Sequence, residues 1–236
     1  MREGESFAMA RRRPSWRLDE LAHAGREHLD PEYVAAYDRK SPTSWSEDIA
    51  QLRALGIGAT STVVDLGAGT GAFARAVAPH VARVIAVDVS VPMVAAMREQ
   101  GVEAVRAGFL SYDHQGDPPD AVVTRNALHH LPDFWKVAAL DRIARLLRPG
   151  GVLLLRDIMF SFEPGDAVTA IDSWLASAPD DSSRGWTAAE LAEHVREEHS
   201  TFTWLLEPMI ERVGMVIHDR WLSANGAYAM YTCILP

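Results

Sequence analysis

The sequence predicts an α/β fold: a Rossmann-like, doubly wound, mostly parallel sheet of seven strands that ends in an antiparallel hairpin and carries a small helical lid. Three observations predict it. Short apolar runs rich in β-branched residues, STVVDLG, RVIAVDVS, VEAVRAG, DAVVT and GVLLLRD, alternate with stretches of helical spacing such as VPMVAAMREQ and FWKVAALDRIARLLRPGG. Strands alternating with helices form βαβ units, hence parallel pairing through right-handed crossovers. The first strand opens into a glycine-rich loop, VVDLGAGTGAFA, of the kind that lets a backbone approach a nucleotide at the carboxyl edge of a parallel sheet. Finally, MVIHDRWLS and AYAMYTCIL flank Asn225 and Gly226, a type I′ hairpin signal, so the last two strands should fold back on each other.

Taken in order, residues 1–20 read as a flexible tail and 21–236 as one domain. Within 21–58, DPEYVAAYDRK and SWSEDIAQLRALG predict two helices, the second with Ser46 as N-cap and Gly56 past its end. The core, 60–157, holds the five strands; Ser90 caps the helix after the second. In the helix before the fifth strand, Val137, Leu140, Ala144 and Leu147 form one buried stripe, and Pro149, Gly150 and Gly151 end it. Residues 159–200 contain two inserted helices, the second opened by a capping box from Thr187 to Glu190. In 201–236, a helix carrying Pro208 should kink or divide there, and the hairpin follows.

Composition narrows the function. With 48% hydrophobic and 23% charged residues, the chain can bury a large core. Its formal net charge of -9 opposes binding to nucleic acid or an anionic membrane. Arg11, Arg12 and Arg13 sit beside acidic residues and read as a solvated tail. A single cysteine, Cys233, rules out an intramolecular disulfide and fits a reduced cytoplasmic setting, and no apolar run is long enough to span a membrane. Oligomeric state leaves no trace in the sequence.

The loop poses a choice of cofactor. Gly67, Gly69 and Ala72 satisfy the dinucleotide pattern G-x-G-x-x-G/A, and Asp88 stands where a ribose-binding acid belongs. Asp65, however, would face a diphosphate at close range, at a cost on the order of several kcal/mol in a water-excluded site. A ligand with an ammonium at that point makes the same carboxylate attractive. S-adenosylmethionine has that ammonium, and no phosphate.

Four motifs in order, VVDLGAGTGAFA, VIAVDVS, DAVVTRNALHHL and LLRPGGVLLL, resemble those of class I S-adenosylmethionine-dependent methyltransferases of the small-molecule type. The resemblance covers roughly residues 60 to 157. It implies Asp65 near the methionine ammonium, Gly67, Ala68, Gly69 and Gly71 under the cofactor, Asp88 on the ribose diol, Val89 beside adenine, and Asn126 near the methionine part. After Gly108, where the family often has an acid for the adenine amino group, this chain has Phe109, which suggests stacking or apolar contact or else a place in the core. Non-catalytic binding of S-adenosylmethionine and a nicotinamide-dependent oxidoreductase are the alternatives.

Methyl transfer from a sulfonium is an in-line displacement onto an O, N or C nucleophile, which requires alignment and, for some acceptors, a base. His129 or His130, just past the fourth strand, is either that base or structural. Asp157, expected to end the fifth strand, is either catalytic or part of a cap or salt bridge. Tyr33, Tyr37, Trp186 and Trp204 are candidates for an acceptor pocket that excludes water. His194 and His199, about 140° apart on a helix, lack the one-face spacing of a metal-binding pair, so no metal is expected. DPPD, residues 117–120, resembles a motif of nucleic-acid amino-methyltransferases but precedes the fourth strand instead of following it. The expected partner is a small-molecule acceptor, with no nucleic acid and no membrane.

Overall fold

The alternation of apolar runs and helices produces a central sheet in the computed structural model, which describes residues 16–25, 27–40 and 44–236. Its strands are β1 (Thr62–Leu66), β2 (Arg83–Asp88), β3 (Ala104–Arg106), β4 (Ala121–Arg125), β5 (Val152–Phe160), β6 (Thr201–Phe202), β7 (Val216–Leu222) and β8 (Tyr228–Ile234). The main path runs β3-β2-β1-β4-β5-β8-β7, and the two-residue β6 pairs with the end of β5. β1 to β5 pair in parallel, whereas β8 is antiparallel to both β5 and β7. Strand order reverses between β1 and β4, which opens a crevice beyond their carboxyl ends, where ligands of such sheets bind.

The helices are α1 (Pro31–Lys40), α2 (Ser46–Ala54), α3 (Ala72–Val77), α4 (Val91–Glu99), α5 (Asp133–Leu146), α6 (Ala167–Ala176), α7 (Ala188–Glu197) and α8 (Thr203–Arg212). Successive strand residues face opposite sides, so each strand feeds two cores. Val64, Val122, Leu153 and Leu155 pack with Leu140 and Ile143 of α5 and Leu206 and Ile210 of α8. Val63, Val123, Val152 and Leu154 pack with Leu52, Ile57, Phe73 and Val77 on the other side. Each fully buried side chain of this size stabilises the fold by about 1.5–3 kcal/mol. The stripe on α5 is centred on Leu140, Ile143 and Ala144 rather than on Val137, which is only half-buried.

Local signals held where a side chain closes the element itself. Ser90 accepts a hydrogen bond from Met93 N, and the Thr187–Glu190 capping box is formed in both directions. Four expectations are corrected. Ser46 is the first helical residue, with Trp45 at the N-cap and no side-chain cap bond. Pro208 lies inside an undivided α8, where the acceptor it leaves unbonded is the carbonyl of the exposed Trp204 in the first turn. Asn225 does not adopt the positive φ that a type I′ turn requires; its side chain instead accepts from Ala227 N and Ser223 Oγ in a longer loop. β5 does not end at Asp157 but continues to Phe160, because residues 158–160 pair with β8 and β6.

The expected tail falls mostly outside the described residues, which include nothing before Trp16. From Trp16 on, the chain is attached: Trp16 stacks on Trp135, the Arg17 guanidinium donates to the Leu110 carbonyl, and Glu20 is buried. Among the described residues, no helix is long and apolar enough to cross a membrane.

Candidate functional site

The glycine loop follows β1, and its first turn is pinned to β2 because Gly67 N and Ala68 N both donate to the Val87 carbonyl at 2.9 and 3.0 Å. Gly67 has φ 74°, and a Cβ there would lie 2.3 Å from the Cβ of Ala127, so glycine is required twice over. Gly69 N donates to Asp88 Oδ2 at 2.9 Å, and Ser90 N donates to Oδ1 at 2.8 Å. Burial pushes the Asp88 carboxyl up to about 6 while these N–H groups oppose the rise.

Asp65, in β1 just ahead of this loop, is buried and is not among the residues that line the two cavities described below. It is 3% exposed, and its Oδ2 is buried without a hydrogen-bond partner. Burial, together with the neighbouring Asp88, pushes it up to about 8. A buried carboxylate left in this state fits a cation that arrives with a ligand and does not fit a diphosphate.

Gly67, Gly69, Asp88, Val89, Gly108, Phe109 and Asn126 line one cavity beside the loop. The N-terminal segment also lines it through Glu20, His28 and Tyr37; Tyr37 was expected at a pocket, whereas Glu20 and His28 carried no signal in the sequence. Glu20 accepts from Leu110 N and Ser111 Oγ, each at 2.9 Å, and presses on Gly108, where a Cβ would meet its Oε1 at 2.3 Å. With Tyr37 and His28 among its lining residues, this cavity measures about 80 Å³, small for a nucleoside. Asn126 has φ 50°, the one non-glycine described residue with positive φ, and turns the chain at the end of β4.

A second cavity of about 730 Å³ adjoins the first, and His28, Tyr37, Asn126 and His130 line both. Tyr33, Trp186, Tyr228, His129, His194 and Glu198 complete much of its wall. The turn Leu128–His130 is held by Asp157: its Oδ2 accepts from Leu128 N at 2.8 Å and His129 N at 3.1 Å, while Oδ1 pairs closely with His129 Nδ1. On the other side of the ring, His129 Nε2 is 2.8 Å from Glu198 Oε2. Burial alone would depress His129, but Asp157 and Glu198 outweigh it and raise it to about 10. Burial and the charge on His129 instead push His130 down to about 3. Against the effect of burial, the surrounding histidines hold Glu198 well below the usual carboxylate range.

The structure therefore separates residues that the sequence had grouped. Asp157 is 1% exposed with both oxygens engaged, so it positions His129 and does not reach the cavity. Gly71 is the left-handed N-cap of α3 packed against Met97, and the partly buried Ala68 packs against the buried cluster of Ala74, Ala86, Val94 and Met97. Trp204 is 52% exposed and stacked on Phe202, away from both cavities, because it lies on the outer face of α8. Phe109 both lines the first cavity and joins the core. His194 and His199 are not brought together as a pair. His194 instead meets Glu198, one helical turn on at 2.9 Å, Ser200 Oγ at 2.7 Å, and His129, whose ring centroid is 4.8 Å away. The 140° between His194 and His199 therefore has no bearing on the cluster that His194 actually joins.

Comparison with known proteins agrees with this geometry. Residues 63–151 match the family model described as a methyltransferase domain. An uncharacterised methyltransferase of Geobacillus kaustophilus is 30% identical over 149 residues, covering 58% of this chain and 69% of that protein. A demethylmenaquinone methyltransferase of a Mycobacterium species is 36% identical over 102 residues, 43% of this chain and 44% of that protein. Among solved structures, the N-methyltransferase NodS of Bradyrhizobium japonicum in complex with S-adenosylhomocysteine superposes with a TM-score of 0.60 at 17% identity, over 93% of this chain and 100% of that one. The dinucleotide alternative falls with these matches: the chain belongs to the class I S-adenosylmethionine-dependent methyltransferases.

Proposed function

We propose that this enzyme methylates a small, partly apolar molecule held in the 730 Å³ cavity. The observation that carries the proposal is that His28, Tyr37, Asn126 and His130 line both cavities, which gives a donor beside the glycine loop and an acceptor in the larger space a common boundary. Bound S-adenosylmethionine supplies an electrophilic methyl group on a sulfonium. What remains for the protein is binding, orientation and removal of a proton.

Asp65 holds the ammonium, and Asp88 keeps lone pairs for the ribose hydroxyls while its backbone donors fix its orientation. Glu20 brings a carboxylate to Gly108, the corner where the family's adenine-binding acid is replaced here by Phe109, so Glu20 takes that role from another element. Phe109 and Val89 supply apolar surface for the ring. Entry of the cofactor requires Tyr37 and His28 to swing off the loop. Once they return, they exclude water from the transfer position.

In the acceptor space, Tyr33, Tyr37 and Trp186 form an aromatic wall, with α6 and α7 as a lid. His130 is the better placed of the two histidines to meet the acceptor: it touches both cavities, and its Nδ1 is buried without a hydrogen-bond partner. Burial and the charge on His129 keep the ring neutral, so it can accept a hydrogen bond or proton from the acceptor, but as a weak base. His129 is committed to Asp157. The acidic charge balance and the enclosed, aromatic space favour a metabolite over a nucleic acid. Transfer proceeds by in-line displacement onto O, N or C.

The test is turnover of S-adenosylmethionine with panels of phenols, quinols, amines and activated carbon acids, read as S-adenosylhomocysteine formed. Acceptor-dependent product supports the proposal. Tight S-adenosylhomocysteine binding with no acceptor-dependent turnover would favour a non-catalytic binder.

A further inference from the structure

One cluster in the acceptor cavity has more organisation than a base requires. His129, from the turn after β4, and His194 and Glu198, from the end of α7, bring their ligand-type atoms within 4.8 Å of one another. His129 and His194 are buried, and all three residues line the 730 Å³ cavity. Glu198 Oε2 is a buried atom 2.8 Å from His129 Nε2 and 2.9 Å from His194 Nδ1, yet it has no properly directed hydrogen bond to either. An ordinary ion-pair network would align those contacts.

Each imidazole is also oriented from behind. Asp157 Oδ1 takes His129 Nδ1, which leaves Nε2 for the cavity side. Ser200 Oγ takes His194 Nε2 at 2.7 Å, which leaves Nδ1. A carboxylate or hydroxyl holding the far nitrogen of a histidine fixes its tautomer and aims the near nitrogen, as the outer partners of metal ligands do. The backbone secures the assembly as well: His199 N donates to the His129 carbonyl at 2.9 Å, and Lys136 Nζ bonds the His199 carbonyl.

We infer that His129 Nε2, His194 Nδ1 and Glu198 form a three-ligand site for a divalent transition-metal ion of the zinc type, its open side turned to the acceptor cavity, where the ion takes an oxygen of the acceptor. Two imidazoles and one carboxylate suit such an ion and leave a coordination position for an exogenous ligand. The position of the acceptor rests on the reading given under Proposed function; the ion site itself rests on the cluster alone. The consequence for specificity is a preference for acceptors with an ionisable or chelating oxygen. His130, with Nδ1 3.6 Å from Glu198 Oε2, stands beside the three ligands.

The experiment uses the full chain, freed of metal with a chelator and titrated with Zn²⁺ by calorimetry, with S-adenosylhomocysteine titrated in parallel. The expected result is one Zn²⁺ per chain, with X-ray absorption showing N/O ligation that includes two imidazoles at about 2.0–2.1 Å. Glu198→Gln and His194→Ala should each weaken Zn²⁺ binding by at least tenfold, and Asp157→Asn by about 10- to 100-fold through loss of orientation. Glu193→Gln, a cavity carboxylate outside the cluster, should leave it unchanged. Circular dichroism confirms that each variant is folded. Absence of a one-to-one site in the wild type, or undiminished binding in folded Glu198→Gln and His194→Ala, overturns the metal site. S-adenosylhomocysteine binding that persists in those samples leaves the methyltransferase reading standing, so the two failures are distinguishable.

Discussion

Replacing Asp65 by asparagine should weaken S-adenosylhomocysteine binding and at the same time stabilise the cofactor-free protein. The carboxyl is 3% exposed and raised from 3.8 to about 8, by burial first and by Asp88 second. At about 1.4 kcal/mol per pH unit, ionising it in the folded, unliganded protein costs on the order of 5 kcal/mol. The sign follows from the folded pKa lying above the unfolded one. The favourable contribution of the neutral acid is complete below pH 4 and is lost as pH rises to about 8. An asparagine side chain cannot ionise, so the variant lacks that loss and should melt higher than wild type at pH 8 without ligand. An arriving ammonium reverses the balance because it pairs with the carboxylate. A charged hydrogen bond is worth about 1.5–3 kcal/mol, so Asp65→Asn should raise Kd by about 10- to 100-fold at pH 8 to 9. Wild-type affinity should fall by up to about tenfold per pH unit below pH 8 until it meets the nearly flat curve of the variant. Calorimetric titrations from pH 6 to 9 read both curves. Parallel curves, or an unchanged Kd at pH 9, would refute the ammonium role of Asp65.

Three further perturbations probe other parts of the account. Gly67→Ala places a methyl group 2.3 Å from Ala127 Cβ at φ 74°, and it should lower stability by about 1–3 kcal/mol in chemical denaturation while reducing cofactor affinity. His130→Ala should cut kcat by about 10²-fold for an acceptor that must lose a proton, the low end of the range for a base held near 3 by burial, with S-adenosylhomocysteine affinity almost unchanged; equal loss in both would mark a structural residue. Leu140→Ala, at a fully buried position between α5 and the sheet, should cost about 2–5 kcal/mol of stability at constant m-value and leave Kd intact.

The legible parts of this protein are those in which the determining residues are neighbours in the chain. Gly67, Gly69 and Asp88 belong to one βαβ unit and line one cavity, so local spacing was enough to group them, whereas Asp65, two residues before the first glycine, lines neither cavity. The hidden parts are assembled across the chain. Glu20 reaches Leu110 and Ser111 over some ninety residues, from a segment with little periodicity to announce it. His129 meets His194 and Glu198 across some seventy residues, where β5 runs on to Phe160 and pairs with β6, an extension that the expected end at Asp157 did not include. The i,i+4 pair His194–Glu198 was available in the sequence, but the two histidines five apart are the more conspicuous pattern. Pro208 and Asn225 show the remaining limit: a strong local preference yields when the bond it removes is at an exposed first turn, or when a longer loop satisfies the same side chain.

A structure of the full chain soaked with S-adenosylhomocysteine should show the amino group within hydrogen-bond distance of Asp65, the ribose on Asp88, and the sulfur at the boundary formed by His28, Tyr37, Asn126 and His130, facing the larger cavity. A ligand whose sulfur points away from that cavity, or whose amino group lies far from Asp65, would contradict that placement.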